Sequence, residues 1–404
     1  MKYIVQYILG YCARSVLRRY KPIIIAITGS VGKTTTRSCI AHVLKAKYSV
    51  GETFANYNSE FGVPLSILGL QRGSTAKQWF SIVCEAFVIA YGKKRKYFQV
   101  MVLEMGADKP GDIAYLMKIV RPHIAVVTNV ENAHLHAYKN HDALAYEKST
   151  LIRHLSPQAV GFVNYDNRYT KDMLDIYTQA QAVYSFGYDR SADIHASHVR
   201  YTTLGLQAYI HEGEKQYAIH APYLVGKHSI YPVLVSWGIA QLLEIKPDTI
   251  MKQYKTYTPP ERRMSLLEGK HHTTLIDSSY NAEPASMKVA FQTLHDMDQP
   301  SRKIAIIGDM LELGEHSREF HALLGEELQQ YRFDLVCFVG EHMNEAYQAY
   351  TKKDVSYVRN ALYFSSVEDL NAVILKKIKS SDTILVKGSF GMNMRSAIDI
   401  LKKE

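Results

Sequence analysis

Apolar runs of strand length recur along the chain, at "PIIIAIT", "FQVMVLEMG", "HIAVVTNV", "AVGFVNYD", "TTLIDSSY", "KIAIIGDM", "DLVCFVG" and "DTILVKGS". Most are followed by an amphipathic stretch long enough for a helix, such as "EFHALLGEELQQY". A continuous apolar run suits a strand buried on both faces, and such strands alternating with helices build parallel sheets. The rhythm therefore predicts an α/β chain with mostly parallel sheets. Residues 188–220 break it: polar and apolar residues alternate there with little helical character, which predicts a small antiparallel piece. The prolines and polar residues of "YKTYTPPERRM" mark a linker, so a domain boundary is expected near Pro259, with 22–258 before it and 259–404 after it. A chain of 404 residues has core enough for such a division.

The first apolar run leads into the strongest local signal, "AITGSVGKTTTR" at residues 26–37. Gly29 and Gly32, on either side of Ser30 and Val31, let the main chain curl so that N–H groups point at an anion. Lys33 adds a point charge, and the hydroxyl of Thr34 or Thr35 can ligate Mg²⁺. Strict Walker spacing would require glycine where Ile27 stands, so this is a shorter, variant phosphate loop. The strand before it and the helix-forming "RSCIAHVLKAKY" after it supply the context such a loop needs.

Three more stretches carry polar groups at useful places. In "VLEMGADKPGDIAYL", Glu104 ends a strand beside a glycine, where open α/β sheets bind ligands, so it can hold Mg²⁺ opposite the loop. In "VTNVENAHLHAY", a strand ends at a polar cluster, with Asn129, His134 and His136 on the loop that follows. In the helical "HDALAYEKSTLI", Lys148 reads by default as a solvated surface lysine.

Composition narrows the setting. The four cysteines, Cys12, Cys39, Cys84 and Cys337, form no C-x-x-C pair, which argues against a zinc ribbon and a disulfide framework and fits a reducing cytoplasm. A net charge of +9 favours anionic partners such as nucleotides, sugar diphosphates or a membrane surface. The opening "MKYIVQYILGYCARSVLRRYKP" is too short an apolar stretch to span a bilayer and lacks a small-residue cleavage pattern. It reads as an amphipathic helix over 1–21, either lying on anionic lipid with Tyr and Ile inward and Arg outward or packed on the body of the protein. Residues 77–96, "KQWFSIVCEAFVIAYGKKRK", repeat the character: an apolar helix followed by a basic cluster.

Taken in order, GSVGKTTT, "NYNSEFGVPLSIL", "EMGADKPGDIAYL", "NVENAHLHAY", "EKSTLI", "GKHSIYPVLVSWGIA", "PPERRM", "IDSSYNAEPASM", "IIGDMLELGEHSREFH" and "VKGSFGMNM" closely resemble the ATP-dependent Mur ligases. Within that family they look most like the members that add D-alanyl-D-alanine to a UDP-linked muramoyl tripeptide. The resemblance runs from about Pro22 to the end of the chain and implies a central P-loop ATPase domain followed by a Rossmann-like α/β domain. It implies ATP as nucleotide, held by Gly29, Ser30, Gly32, Lys33, Thr34, Thr35 and Asn129 on one side and by Arg263, Asp277, Tyr280 and Asn281 on the other. It implies two Mg²⁺ sites that draw on Thr34, Glu104 and His134, and a carbamylated lysine at Lys148. Lys33, Glu104, His134 and Lys148 are then the catalytic set, and Asn56, Asn58, Lys387 and Ser389 stand where substrate is met. The implied partners are the UDP-linked muramoyl peptide and D-alanyl-D-alanine, not nucleic acid. A cytoplasmic monomer is expected, and the apolar, basic character of 1–21 and 77–96 reads as a peripheral contact at the inner face of the membrane.

The sequence departs from the family pattern in places. Members of this kind carry a UDP-sugar-binding domain before the phosphate loop, and here only about 25 residues precede it. The expectation is that the UDP part is held by other surface or another protein, or that the acceptor is lipid-linked. His136 stands where a carboxylate is usual, Ser59 and Ser229 where asparagines are, Pro232 likewise, Ser278 where the acid of "DSYN" sits, and Phe390 in place of an arginine. Folylpolyglutamate synthases share the architecture but match "SYNAEP" and "GDMLELG" less well. A non-catalytic nucleotide-binding scaffold would have no need of the full Lys33, Glu104, His134 and Lys148 set.

Overall fold

The computed structural model describes residues 2–54, 57–131, 138–176, 178–298, 301–352 and 359–403. They fall into two compact units. The first comprises Met1–Ser197, Tyr209–Ile219 and Tyr231–Tyr254, and the second His198–Ala208, His220–Ile230 and Lys255–Glu404.

The first unit is organised on the strands β1 (Ile23–Thr28), β2 (Val50–Glu52), β3 (Val100–Glu104), β4 (Ile124–Val127), β5 (Val160–Asn164) and β6 (Ala182–Gly187); the same sheet is continued by β7 (Ile194–Thr202), β8 (Gly205–Glu212) and β9 (Lys215–Ala221), of which residues 198–202, 205–208 and 220–221 count with the second unit. Their order is β2-β3-β1-β4-β5-β6-β7-β8-β9. Strands β1 to β6 pair in parallel, and all five residues of β3 and all four of β4 are buried, as their unbroken apolar runs predict. From β7 to β9 the connections are only residues 203–204 and 213–214, too short for anything but hairpins. This is the antiparallel piece expected from residues 188–220.

Six helices of this unit matter below: α1 (Lys2–Tyr20), α2 (Lys33–Leu44), α3 (Gly62–Leu68), α4 (Ala76–Tyr91), α5 (Asp112–Ile119) and α6 (His141–Arg153). Helix α1 packs on the body through Leu9, Cys12, Ala13 and Val16. The tyrosines Tyr3, Tyr7 and Tyr11 are exposed on the other side of the helix, because the small and branched residues fit the close approach that α1 makes to the body; Gly10 already lies against the Ile119 side chain. The chain leaves β1 toward β2 on one side of the sheet and continues from β4 on the other, so the carboxyl ends of β1, β3 and β4 open onto one crevice.

The second unit holds β10 (Ser265–Glu268), β11 (Thr274–Ser278), β12 (Lys303–Gly308), β13 (Leu335–Val339), β14 (Ala361–Phe364) and β15 (Thr383–Lys387) in the order β10-β11-β15-β12-β13-β14. All pairs are parallel except β10 with β11. The "GDMLELG" turn after β12 is pinned from inside. His321 is fully buried; its Nε2 accepts from Met310 N at 3.1 Å and its Nδ1 donates to Ser317 O at 2.7 Å. That arrangement needs a neutral ring, and burial holds the pKa of His321 below its ordinary 6.5. Protons are therefore bound more tightly by the unfolded chain, and stability falls as pH drops below 6.5. Thermal melts at neutral pH and at about pH 5 should show this loss, and His321→Leu should start from a lower Tm and lose less on acidification. An unchanged pH dependence in the variant would assign the acid sensitivity elsewhere.

Candidate active site

The phosphate loop joins β1 to α2. Gly29 has φ +149°, and a Cβ there would stand 1.9 Å from Thr128 Oγ1, so only glycine fits; Gly32 has φ +84° and sits at the N-terminus of α2. Asn129, two residues past β4, straps the loop: its Oδ1 accepts from Val31 N at 2.8 Å and its carbonyl from Ser30 N at 3.0 Å. Lys33 Nζ folds back onto the carbonyls of Gly29 at 2.7 Å and Ser30 at 3.1 Å. Thr34 and Thr35 occupy the first turn of α2, and Thr34 Oγ1 donates to Glu104 Oε2 at 3.0 Å. Register brings this about: Ile27 lies opposite Glu104 in the β1–β3 ladder.

Glu104 is only 4% exposed. Asn58 Nδ2 donates to its Oε1 at 3.1 Å, and Arg37 NH1 stands 3.8 Å from its Oε2. Arg37 is also buried, and its Nε lies 3.4 Å from Glu52. Sequence reading missed Arg37. Its signal was its place one helical turn after Lys33, which turns it toward the same sheet end. Removing one member of a buried pair leaves the other charge stranded, so Arg37→Met should cost about 3 kcal/mol in urea unfolding. No loss would mean that Glu104 is not balanced by Arg37.

Lys148 is 1% exposed, so the surface reading of it is overturned. Its Nζ makes no hydrogen bond among the described residues. Burial, and next the nearby Lys33 charge, bring its pKa down to about 7, against the attraction of Asp108 and Glu147. The preceding residue, Glu147, explains how a lysine comes to be buried here. Its carboxylate accepts from Gly111 N and Ile113 N, both at 2.8 Å, fastening α6 to the N-terminus of α5 and drawing Lys148 inward. Asn56, His134 and His136 lie outside the described residues.

In the second unit, Lys387 ends β15 at 3% exposure and donates to Asn281 O at 2.7 Å and Ser278 Oγ at 3.3 Å. Burial brings its pKa to about 7, with Arg263 also lowering it and Glu283 opposing. Asp277 is turned to its own loop, accepting from Ser279 N at 3.0 Å and Ser279 Oγ at 2.6 Å. Ser278, standing where an acid was expected, instead receives Lys387. The Arg263 guanidinium lies 4.0 Å from the centre of the Tyr280 ring, Asn281 donates to Glu283 at 3.2 Å, and Ser389 Oγ accepts from Leu311 N at 2.8 Å and donates to Ala282 O. Arg263, Tyr280, Asn281 and Lys387 thus share one strand end, while Asp277 also lines a 320 Å³ cavity with Arg262, Arg395 and Lys402.

Residues 27–240 match the Mur ligase middle domain, and residues 262–390 match the Mur ligase, glutamate ligase domain. The chain belongs to the Mur ligase family. As a Mur ligase it is an ATP-dependent enzyme that forms an amide bond. It is similar to the UDP-N-acetylmuramoyl-tripeptide--D-alanyl-D-alanine ligase of Buchnera aphidicola subsp. Baizongia pistaciae, 28% identical over 98% of this chain and 79% of that protein. The MurF ligase from Thermotoga maritima in complex with ADP superposes with a TM-score of 0.78 at 25% identity, covering 97% of this chain and 82% of that one. A folylpolyglutamate synthase from Mycobacterium tuberculosis, at TM-score 0.67 and 14% identity over 97% of this chain and 95% of that one, shares the fold alone.

The residues of this Mur ligase fit a divalent ion. Thr34 and Glu104 are hard oxygen donors already in contact, the kind Mg²⁺ takes together with water and phosphate oxygens. Among the described residues no group of three or more His, Cys, Asp or Glu could enclose a metal, which suits an ion shared with a nucleotide rather than caged by protein.

Proposed function

We propose that this Mur ligase joins D-alanyl-D-alanine to a UDP-N-acetylmuramoyl tripeptide through an acyl phosphate. The contact of Thr34 on the phosphate loop with the buried Glu104 carboxylate carries the reading, together with the MurF ligases among its relatives. Thr34 and Glu104 would hold Mg²⁺, His134 is assigned to a second ion by its place in "NVENAHLHAY", and Asn56 and Asn58 to the acceptor. Bound ATP and Mg²⁺ supply the phosphoryl group and positive charge at its oxygens. The terminal carboxylate of the acceptor takes that group, which turns a poor leaving oxygen into a good one. Lys33 neutralises charge that builds on the transferring group, provided it leaves the Gly29 and Ser30 carbonyls. The dipeptide amine, its ammonium proton given up to water, then attacks the acyl carbon, expels phosphate and passes its second proton to solvent. Arg263 and Lys387 are the cations suited to the dipeptide carboxylate or the nucleotide phosphates, and Ser389 stands beside them.

We assign Lys148 to carbamylation. A buried amine with no hydrogen bond among the described residues is poised to add CO₂, and the product is an anion able to orient Mg²⁺ beside Lys33. We take residues 22–258 as the ATP-binding domain and 259–404 as the Rossmann-like domain, in a monomer placed at the inner face of the membrane through 1–21 and 77–96. Mass spectrometry after incubation with ATP, Mg²⁺, D-alanyl-D-alanine and UDP-muramoyl tripeptide should show the dipeptide added to the acceptor, with ADP and phosphate. ATP turnover only with glutamate and a folate would favour the folylpolyglutamate reading, and nucleotide binding without turnover a scaffold.

A further inference from the structure

Helix α4, AKQWFSIVCEAFVIAY, starts at a capping box between Thr75 and Gln78 and is apolar almost throughout, yet its only buried residues are Ala86 and Ala90. A helix apolar on every side belongs in a core or against lipid. Phe80 is 73% exposed, and Phe87, Val88 and Tyr91 continue its face at the i+7, i+8 and i+11 positions. Exposed Cys84 lies in the same stripe.

Helix α1 runs parallel beside it. At their carboxyl ends Ser15 Oγ and Tyr91 Oη are 2.8 Å apart, Arg19 donates to Ala90 O at 3.2 Å, and Arg95 N donates to Tyr20 Oη at 2.8 Å. Its own outward stripe is Tyr3, Ile4, Tyr7 and Tyr11, with Tyr11 and Tyr91 rings 6.5 Å apart. The two stripes form one apolar face. Both run toward basic groups: Arg14 and Arg18 continue the stripe of α1, and Lys93, Lys94, Arg95 and Lys96 follow α4. Neither α1 nor residues 92–99 contain Asp or Glu, and α4 contains only Glu85. Arg14 also lines a 710 Å³ cavity with Lys118, Arg121 and His154, and no carboxylate lines it.

We infer that the α1–α4 face docks on an anionic bilayer, with its aromatic stripe at the headgroup boundary and a lipid phosphate in the cavity of Arg14, Lys118 and Arg121. The inference gives chemistry to the peripheral placement proposed above and rests on it; it does not depend on the ligase reaction. Tyrosine suits that boundary, with an apolar ring and a wet hydroxyl. No helix among the described residues is long and apolar enough to cross a membrane, so the face lies on lipid rather than spanning it. A second copy seated on this face would set basic cluster against basic cluster with one acid to offset them, which disfavours self-association.

The test is sedimentation of the full chain with vesicles of phosphatidylcholine alone or mixed with phosphatidylglycerol, alongside an environment-sensitive fluorophore on Cys84, the exposed cysteine. Binding should be about ten-fold or more tighter to the anionic vesicles and weaken with salt, with a blue shift of the probe. Phe80→Ser with Phe87→Ser should abolish it, and Arg14→Gln with Arg121→Gln should weaken it several-fold, while ligation in vesicle-free buffer continues. Equal binding to neutral vesicles, no blue shift, or a concentration-dependent dimer lost in the Phe variants would overturn the inference. Failed ligation with vesicle binding intact would remove the proposed reaction and leave this surface standing.

Discussion

Lys33→Ala is expected to lower kcat by about 10³-fold or more while leaving the fold intact. The lysine is the one cation on the phosphate loop between Gly29 and Thr35, and its side chain is only partly buried, so its removal opens no cavity in the core. In the structure its ammonium rests on the loop's own carbonyls, a position from which it can swing to phosphate oxygens without crossing a packed layer. Because the charge it meets grows as the phosphoryl group moves, the loss should fall on kcat more than on KM for the acceptor. Lys33→Arg should not rescue, since a planar fork cannot occupy a point-charge position among curled backbone groups. Steady-state phosphate release decides the matter, and a variant with near wild-type kcat would remove Lys33 from the chemistry.

Lys148→Ala should abolish ligation as completely, for a different reason. A lysine this buried is an expensive residue to keep as a bare ammonium, since burial penalises its charge. As a carbamate it would bring an anion to a place where Lys33 already supplies a cation, and that exchange of sign is what the substitution removes. Alanine also leaves a void where a carboxylate can sit, so acetate or propionate should restore part of the activity to Lys148→Ala and none to Lys33→Ala. Protein equilibrated with ¹³C-bicarbonate should show a carbamate resonance that is absent from Lys148→Ala. Wild-type activity in the variant would refute the assignment.

What the sequence made legible was local. The strand over Ile23–Thr28, the turn at Gly29 and the helix from Lys33 follow from residues adjacent in the chain, and the antiparallel piece around residues 188–220 from strict alternation. What stayed hidden was decided by distant partners. Lys148 sits in a polar helical stretch and is buried only because Glu147 is tied to Gly111 and Ile113. Arg37 gains its meaning from Glu52 and Glu104. Strands β2, β10 and β14 are three or four residues long, too short for periodicity to register. The seating of α1 stayed open for a related reason: its Tyr, Ile and Leu residues do not say which face meets the body until Gly10 is seen against Ile119.

The most direct test follows oxygen. With ¹⁸O in the terminal carboxylate of the tripeptide acceptor, transfer of phosphoryl to that carboxylate and release by the D-alanyl-D-alanine amine must leave one ¹⁸O in the phosphate for each amide formed. Labelled phosphate in that ratio, dependent on Mg²⁺ and lost in Lys33→Ala, is the predicted result. Unlabelled phosphate beside newly formed amide would contradict activation of the acid group by this loop.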